Sequence, residues 1–362
     1  MHLPTIAVLG SHSALDVCRG AKDEGFSTLV ISEKGREQTY KQYYKVRSLQ
    51  GCIDECLVLD KFSDILLKKT QLYLQKKNCI FVPHRSFEVY LNFDYASIEK
   101  KFLVPIFGNK YLLKIEERHN KVNQYDLLKL AKIRYPQQFA DPQKINRLCL
   151  VKVLEKARGF ERAFFLVRNF TDYEIKSKIM IKQGKITQKA LSQAVIEEFV
   201  LGTPVNFNFF YSPLTKRIEL LGTDTRRQTN LDGILRLPGD YQQQALQYIP
   251  LSFEESGHIA VTVLESLLES AFIMAERFVK ASQKLIPPGI IGPFSLQSII
   301  TSGPPKKEIV VIDVSPRMPG SPGTSATPYT YYLYGNSLSV GRRVAQEIKQ
   351  AIDSGTIQKI TT

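Results

Sequence analysis

Over the first 84 residues, short apolar runs alternate with amphipathic stretches, and that alternation leaves few folds open. TIAVLG (5–10) reads as a buried strand and HSALDVCRGAKDEG (12–25) as an amphipathic helix. STLVIS (27–32) and ECLVLD (55–60) read as strands, FSDILLKKTQLYLQKK (62–77) as helix, and CIFVPH (79–84) as a further strand. Strands separated by helices pair in parallel, which predicts a Rossmann-like sheet with ligands at its C-terminal strand ends. Two polar clusters fall at such ends, Gly10-Ser11-His12-Ser13 and Pro83-His84-Arg85-Ser86. The first turn, GSHSAL, lacks the glycines that let a backbone approach a pyrophosphate, so it speaks against a dinucleotide. Small residues ahead of a helix N-terminus suit a monophosphate or a polar nucleoside. The plainer alternative is a serine N-cap beside a loop histidine.

At 362 residues the chain predicts two or three packed subdomains. No apolar run reaches membrane-spanning length and no secretion signal is evident. The five cysteines, Cys18, Cys52, Cys56, Cys79 and Cys149, form no CxxC pair, and a reducing cytoplasm is expected. Cys52 and Cys56 stand at helical spacing, which predicts one shared helix face rather than a zinc site. The net charge of +14 is spread along the chain, not gathered into a basic tail. A field attracting phosphorylated small molecules explains it as well as a nucleic-acid groove does, and no nucleic-acid module is recognisable.

The later chain carries the polar chemistry. NQYDLLKLAKI (123–133) predicts a helix, and LCLVKVLEKARGFERAFFLV (148–167) a β-hairpin with Lys152 inside an apolar strand. There its ammonium needs a partner or a ligand phosphate. Glu197 and Glu198 sit between apolar runs in 195–214; Asp224, Arg226, Arg227, Asn230 and Asp232 stand in the strand-rich segment 217–238. VTVLESLLESAFIMAERFVKASQKL (261–285) predicts a long scaffold helix, and MPGSPGTSATPY (318–329) a loop able to act as a lid. In KEIVVIDVSPRMPG, period-two geometry puts Asp313, Ser315 and Arg317 on one face. Oxygen ligands from this strand and from Gln297 in IIGPFSLQSII suit Mg²⁺, which keeps one or two protein groups plus substrate phosphates. A strand end turning to solvent, with Arg317 pairing Asp313, is the alternative.

Ordered along the chain, these pieces resemble the ATP-grasp superfamily. GSHSALDVCRGAKDEGFSTLVIS, VPHRSFEVY, FLVPIFGNKYLL, EEFVLGTPVNFNFFYSPL, ELLGTDTRRQTNLDG, LIPPGIIGPFSLQS and LSVGRRVAQEIK together resemble the archaeal formate-dependent FAICAR synthetase family. FAICAR is 5-formaminoimidazole-4-carboxamide ribonucleotide, made in purine biosynthesis. The resemblance implies a Rossmann-like domain over 1–122, an ATP-grasp small subdomain over 123–200 and a large subdomain over 201–362. It implies a cytoplasmic ligase that uses ATP and Mg²⁺, or Mn²⁺, to phosphorylate formate and formylate the amine of AICAR, the aminoimidazole carboxamide ribonucleotide. A homo-oligomer with small-molecule partners, and neither nucleic acid nor membrane, is expected.

Residue by residue, the resemblance implies AICAR contacts at His12, Ser86 and Asn230, and ATP contacts at Lys152, Glu197 and Glu198. It implies metal ligands at Gln297 and Asp313. Charge and placement make Arg226 and Arg317 candidates for stabilising the transferred phosphate. Two departures stand out. EKARGFERAFF has Gly159 as its only glycine where relatives have a glycine-rich loop, leaving Arg158 and Arg162 to do more; and Asp313 replaces a glutamate. A diverged ligase joining another carboxylate to an amine, or a nucleotide-binding paralogue without turnover, are the alternatives.

Overall fold

The structure, a computed structural model, describes residues 3–118, 120–153, 163–249, 251, 255–303 and 306–362. Gly159, Arg158 and Arg162, on which the glycine-loop expectation rests, lie outside the described residues. Strands β1 (Thr5–Leu9), β2 (Ser27–Glu33), β3 (Glu55–Leu59) and β4 (Cys79–Phe81) form a parallel sheet in the order β3-β2-β1-β4. The strand–helix alternation thus becomes the Rossmann-like domain it predicts.

Strands β5 (Cys149–Val153), β6 (Ala163–Val167) and β7 (Val195–Glu198) make a small antiparallel sheet, ordered β6-β5-β7. The third sheet is antiparallel and ordered β10-β9-β8-β11-β12. Its strands are β8 (Thr203–Ser212), β9 (Arg217–Gln228), β10 (Glu255–Ala260), β11 (Gly292–Ile300) and β12 (Ile309–Ser315).

Period-two alternation gives this large sheet two unlike faces. Val205, Phe207 and Phe209 of β8, Phe294 and Leu296 of β11 and Val314 of β12 pack on the helix Leu268–Leu285 through Ala271, Ala275 and Phe278. The intervening residues, Asn206 and Asn208, Ser295 and Gln297, Asp313 and Ser315, take the other face, and cross-strand register lines them up. Burying one such phenylalanine contributes about 1.5–3 kcal/mol, and a one-residue slip would turn every ring onto the polar side. The core therefore fixes which side chains reach the site.

The C-terminal helix Val340–Asp353 returns to the first domain. Val340, Val344 and Ile348 share a core with Ile6, Val8 and Val17. It crosses the helix Ala14–Asp23 where two glycines meet: a Cβ on Gly20 would lie 2.1 Å from the Arg342 nitrogen, and one on Gly341 2.2 Å from the Asp16 carbonyl oxygen.

Three local expectations are corrected. The 62–77 helix is broken: Leu67 is extended (φ −66°, ψ 138°) between a 3-10 turn Phe62–Leu66 and the helix Lys68–Lys76, with Gln71 Nε2 donating to the freed Leu66 carbonyl at 3.0 Å. Cys52 and Cys56 share no helix, because Cys52 precedes β3 and Cys56 lies in it. The 261–285 helix begins only at Leu268, since the Val261 N–H donates to the Thr223 carbonyl (3.2 Å) and prolongs the β9–β10 pairing.

Gly20→Ala should overpack the helix crossing and cost about 1–3 kcal/mol, since backbone atoms cannot yield as a side-chain tip can. Thermal melts test this against Gly239→Ala, where the added methyl meets nothing within 4 Å and the midpoint should hold.

Candidate active site

The polar face of the large sheet floors a cavity of about 160 Å³, closed from above by the first domain and the 319–321 segment. It brings together His12, Arg226, Gln297, Asp313 and Arg317 of the sequence-predicted residues. Gln297 and Asp313 are direct cross-strand partners, as are Ser295 and Ser315. Arg226 Nη2 donates to Gln297 Oε1 (2.8 Å), and Gln297 Nε2 donates to Ser315 Oγ (3.1 Å). Arg118 Nη2 donates to Asp313 Oδ1 at 3.1 Å. Burial drives the Asp313 carboxyl upward, but Arg118, Lys152 and Arg226 outweigh it and hold the group below its ordinary value.

The roof comes from the turn after β1. Ser13 is the first helix's N-cap residue, but its hydroxyl donates instead to the Pro319 carbonyl (2.5 Å). With that proton committed, Ser13 Oγ accepts from His12 Nδ1 (3.0 Å), which leaves His12 Nε2 as an acceptor. Burial first, then His84 and Arg317, push His12 down to about 2, so the ring is neutral. His12 adopts φ 52°, and a Cβ at Gly320 would strike its Nε2 at 2.5 Å. The bare glycine is what lets the ring lie there. Ser86 does not line this cavity; its hydroxyl donates to Ser11 Oγ at 3.1 Å.

Beneath the roof, Arg317 sits between carboxylates of the first domain. Its Nη2 donates to Glu116 (3.0 Å) and its Nε lies 3.5 Å from Glu88. Arg85 meets Glu88 and Glu116, each at 3.1 Å, and Glu117 at 2.9 Å. Burial and Glu116 raise the Glu88 carboxyl, against the pull of both arginines. Glu116 Oε1 and Ser321 Oγ, both on cavity-lining residues, have no hydrogen-bond partner among the described residues. Such atoms cost about 1–3 kcal/mol each when unmet, which a polar ligand would recover.

Lys152, Glu197 and Glu198 stand apart from this cavity, on the small sheet. Lys152 and Glu197 share a face and form a buried ion pair. Burial lowers the Lys152 ammonium while Glu197 opposes the fall. Glu197 also accepts from the Tyr125 hydroxyl (2.9 Å), and Arg118 Nε donates to that oxygen (3.2 Å). A chain of contacts thus runs from Lys152 through Glu197, Tyr125 and Arg118 to Asp313. A second cavity of about 520 Å³ opens beside Arg118 and Tyr125. Glu198 points the other way and takes Arg134 (2.8 Å). Asn230 caps the short helix Leu231–Ile234 with φ 42° and does not line the 160 Å³ cavity.

Sequence reasoning gave no role to the group at the far side of the cavity. Asp224 is fully buried and accepts from Asn206 (2.9 Å), Asn208 (2.6 Å) and His258 Nδ1 (2.5 Å). His258 Nε2 meets Glu255 at 2.7 Å. Burial opposes charge on this ring, yet its two carboxylate partners push it up to about 9. Nothing in the sequence paired Asn206 and Asn208 with a histidine fifty residues on.

A parallel domain followed by two antiparallel sheets with a charged seam between them defines the ATP-grasp class, whose characterised members include ATP-dependent ligases. Residues 6–139 match the family model described as "Protein of unknown function (DUF1246)" and residues 172–362 match "Domain of unknown function (DUF1297)". A curated relative from Methanopyrus kandleri, named 5-formaminoimidazole-4-carboxamide-1-(beta)-D-ribofuranosyl 5'-monophosphate synthetase, is 38% identical over 99% of this chain and 95% of its own. The crystal structure of an IMP biosynthesis protein, PurP, from Thermococcus kodakaraensis superposes with a TM-score of 0.72 at 28% identity, covering 99% of this chain and 100% of that one. The ADP complex of purK, N5-carboxyaminoimidazole ribonucleotide synthetase, shares the fold (TM-score 0.59, 13% identity, 96% and 77% covered). The chain belongs to the 5-formaminoimidazole-4-carboxamide-1-(beta)-D-ribofuranosyl 5'-monophosphate synthetase family.

A raised histidine pKa makes stability that is complete below the unfolded value, about 6.5, and is lost as pH rises through about 9. That shift corresponds to about 3 kcal/mol. His258→Gln should therefore melt well below the wild type at pH 6.5, and the gap should close above pH 9. A pH-independent gap would show that the ring's charge contributes nothing.

Proposed function

We propose that this protein is an ATP-dependent ligase that joins formate to the 5-amino group of AICAR, giving FAICAR, ADP and phosphate. The observation that carries the reading is the single cavity uniting Gln297 and Asp313 with two arginines and a neutral His12, in a chain of this family.

The chemistry asks for little covalent help from the protein. A formate oxygen takes the γ-phosphoryl group of ATP, releasing ADP; the amine nitrogen then forms a bond to the formyl carbon as the carbon–oxygen bond to phosphate breaks, and the proton lost from nitrogen leaves with the phosphate. Catalysis is positioning plus stabilisation of charge on the phosphoryl oxygens. Arg226 and Arg317 both line the cavity; Arg226 supplies that stabilisation directly, while Arg317 is held by Glu88 and Glu116 at its edge. His12 Nε2, unprotonated, accepts an N–H of the AICAR amine or carboxamide. We assign ATP to the junction of the small and large sheets, where Lys152, Glu197, Arg118 and Asp313 succeed one another.

The donor set fits Mg²⁺ in the sparing way that ion is bound. Two oxygen-bearing side chains stand opposite each other, each already holding a guanidinium, and no three His, Cys, Asp or Glu side chains among the described residues are placed to hold a metal ion by themselves. Gln297 and Asp313 would hold the ion together with phosphate oxygens and water, and it would neutralise charge on those phosphates. Shielding the acyl phosphate from water falls to the first domain and the 319–321 segment over the cavity.

Phosphate release by the purified protein should require ATP, Mg²⁺, AICAR and formate together, with FAICAR formed in equal amount. Asp313→Asn should lower that turnover by about 10²–10³-fold while the far-UV spectrum is kept. Full turnover in the variant would remove Asp313 from the metal site; failure of the wild type with all four components would remove the reaction.

A further inference from the structure

His258 lines the cavity, but the ligase reading gives it no task. It lies on β10 directly across from Arg226 on β9, and Asp224 stands two residues before Arg226 on the same face. Four charged groups meet there. Asp224 takes His258 Nδ1 at 2.5 Å, Glu255 takes His258 Nε2 at 2.7 Å, and Glu255 Oε2 lies 3.3 Å from Arg226 Nε. Arg226 nevertheless spends its Nη2 on Gln297 Oε1 at 2.8 Å, pointing along the cavity floor.

We propose that His258 is a positioning residue: by serving as counter-ion to both Asp224 and Glu255, it leaves the Arg226 guanidinium free to face the cavity and the phosphoryl group transferred there. The inference rests on the ligase reading above. Its logic is one of charge. Two carboxylates face two cations; without the ring, Arg226 is the cation two residues from Asp224 and already beside Glu255. A guanidinium offered two desolvated carboxylates takes them with its fork and withdraws from Gln297. Asp224 cannot move to relieve this, because Asn206 and Asn208 both donate to it. The titratable groups facing His258 are Asp224 and Arg226 from β9, Glu255 from β10 and His12 from the roof. The 322–326 turn packed on β10 carries no titratable side chain.

This role differs from a structural one in what repairs it. His258→Gln should lower kcat by about 10–100-fold with KM for AICAR, formate and ATP within about threefold, the signature of a lost transition-state contact. Adding Glu255→Gln removes the second carboxylate, releases Arg226 and should restore kcat to within about fivefold of wild type. A kcat within about twofold of wild type in the single variant, or a double variant no better than the single, overturns the proposal. Should the single variant not fold, the ring ¹⁵N shifts of His258 in the wild type decide: both nitrogens protonated at pH 7.5 supports the counter-ion role, and a neutral ring overturns it. Wild-type turnover is measured first. If it is absent, the ligase reading fails, and inorganic phosphate affinity, weakened in His258→Gln and regained in the double variant, tests the positioning role on its own; unchanged affinity overturns it.

Discussion

The buried guanidinium of Arg317 joins the two halves of the molecule. It leaves the end of β12 and enters the first domain between Glu88 and Glu116, where Arg85 meets the same acids. A hydrophobic core also joins them, through Val340, Val344 and Ile348 against Ile6, Val8 and Val17, but the surfaces that line the cavity must stay polar to bind anything polar. Burying so many charges yields little net stability, because desolvation offsets most of the Coulomb gain. Removing one member costs much more, about 3–5 kcal/mol, because its partners are left buried and unpaired. Such a cluster therefore tolerates one arrangement. We read it as the registration device that holds the β1 turn, with His12, over the polar face of the large sheet.

That polar face follows from simple alternation, which explains why part of the site was legible in the sequence. In β12 the residues between the core positions have nowhere to go but the cavity, so Asp313 and Ser315 could be placed on a face without coordinates. Gln297 opposite Asp313 needed only the guess that two late strands pair. The parallel domain was legible because its strands are short apolar runs, with helices after the first and the third.

What could not be read depends on register between distant segments or on polar ends. Arg118 reaches Asp313 across 195 positions, and His258 reaches Asp224 only because the bulge between Glu255 and Gly257 sets β10 against β9 as it does. No periodicity carries that information. The extended Leu67 was hidden because a broken helix keeps the same apolar spacing on either side of the break. Cys52 and Cys56 misled through a four-residue interval that a loop and a strand share with a helix. Ser13 looked like an ordinary N-cap, and is one by position, but its proton goes to Pro319 across the cavity mouth.

The charges inside the seam share one arrangement. Arg118 rests on Asp313, Arg226 on Gln297, Lys152 on Glu197, and His258 on Asp224 and Glu255. Each group that a phosphate or a divalent cation would engage already has a counterpart, an opposite charge for Arg118, Lys152 and His258 and an amide oxygen for Arg226. A ligand entering such a site exchanges partners rather than meeting bare charge, so neither the protein nor the ligand bears the full desolvation of an isolated ion. On the ligase reading, a cation held by Asp313 would free Arg118, and a phosphate would take the arginine so freed. The two arrivals would then favour each other, because each supplies the partner the other displaces.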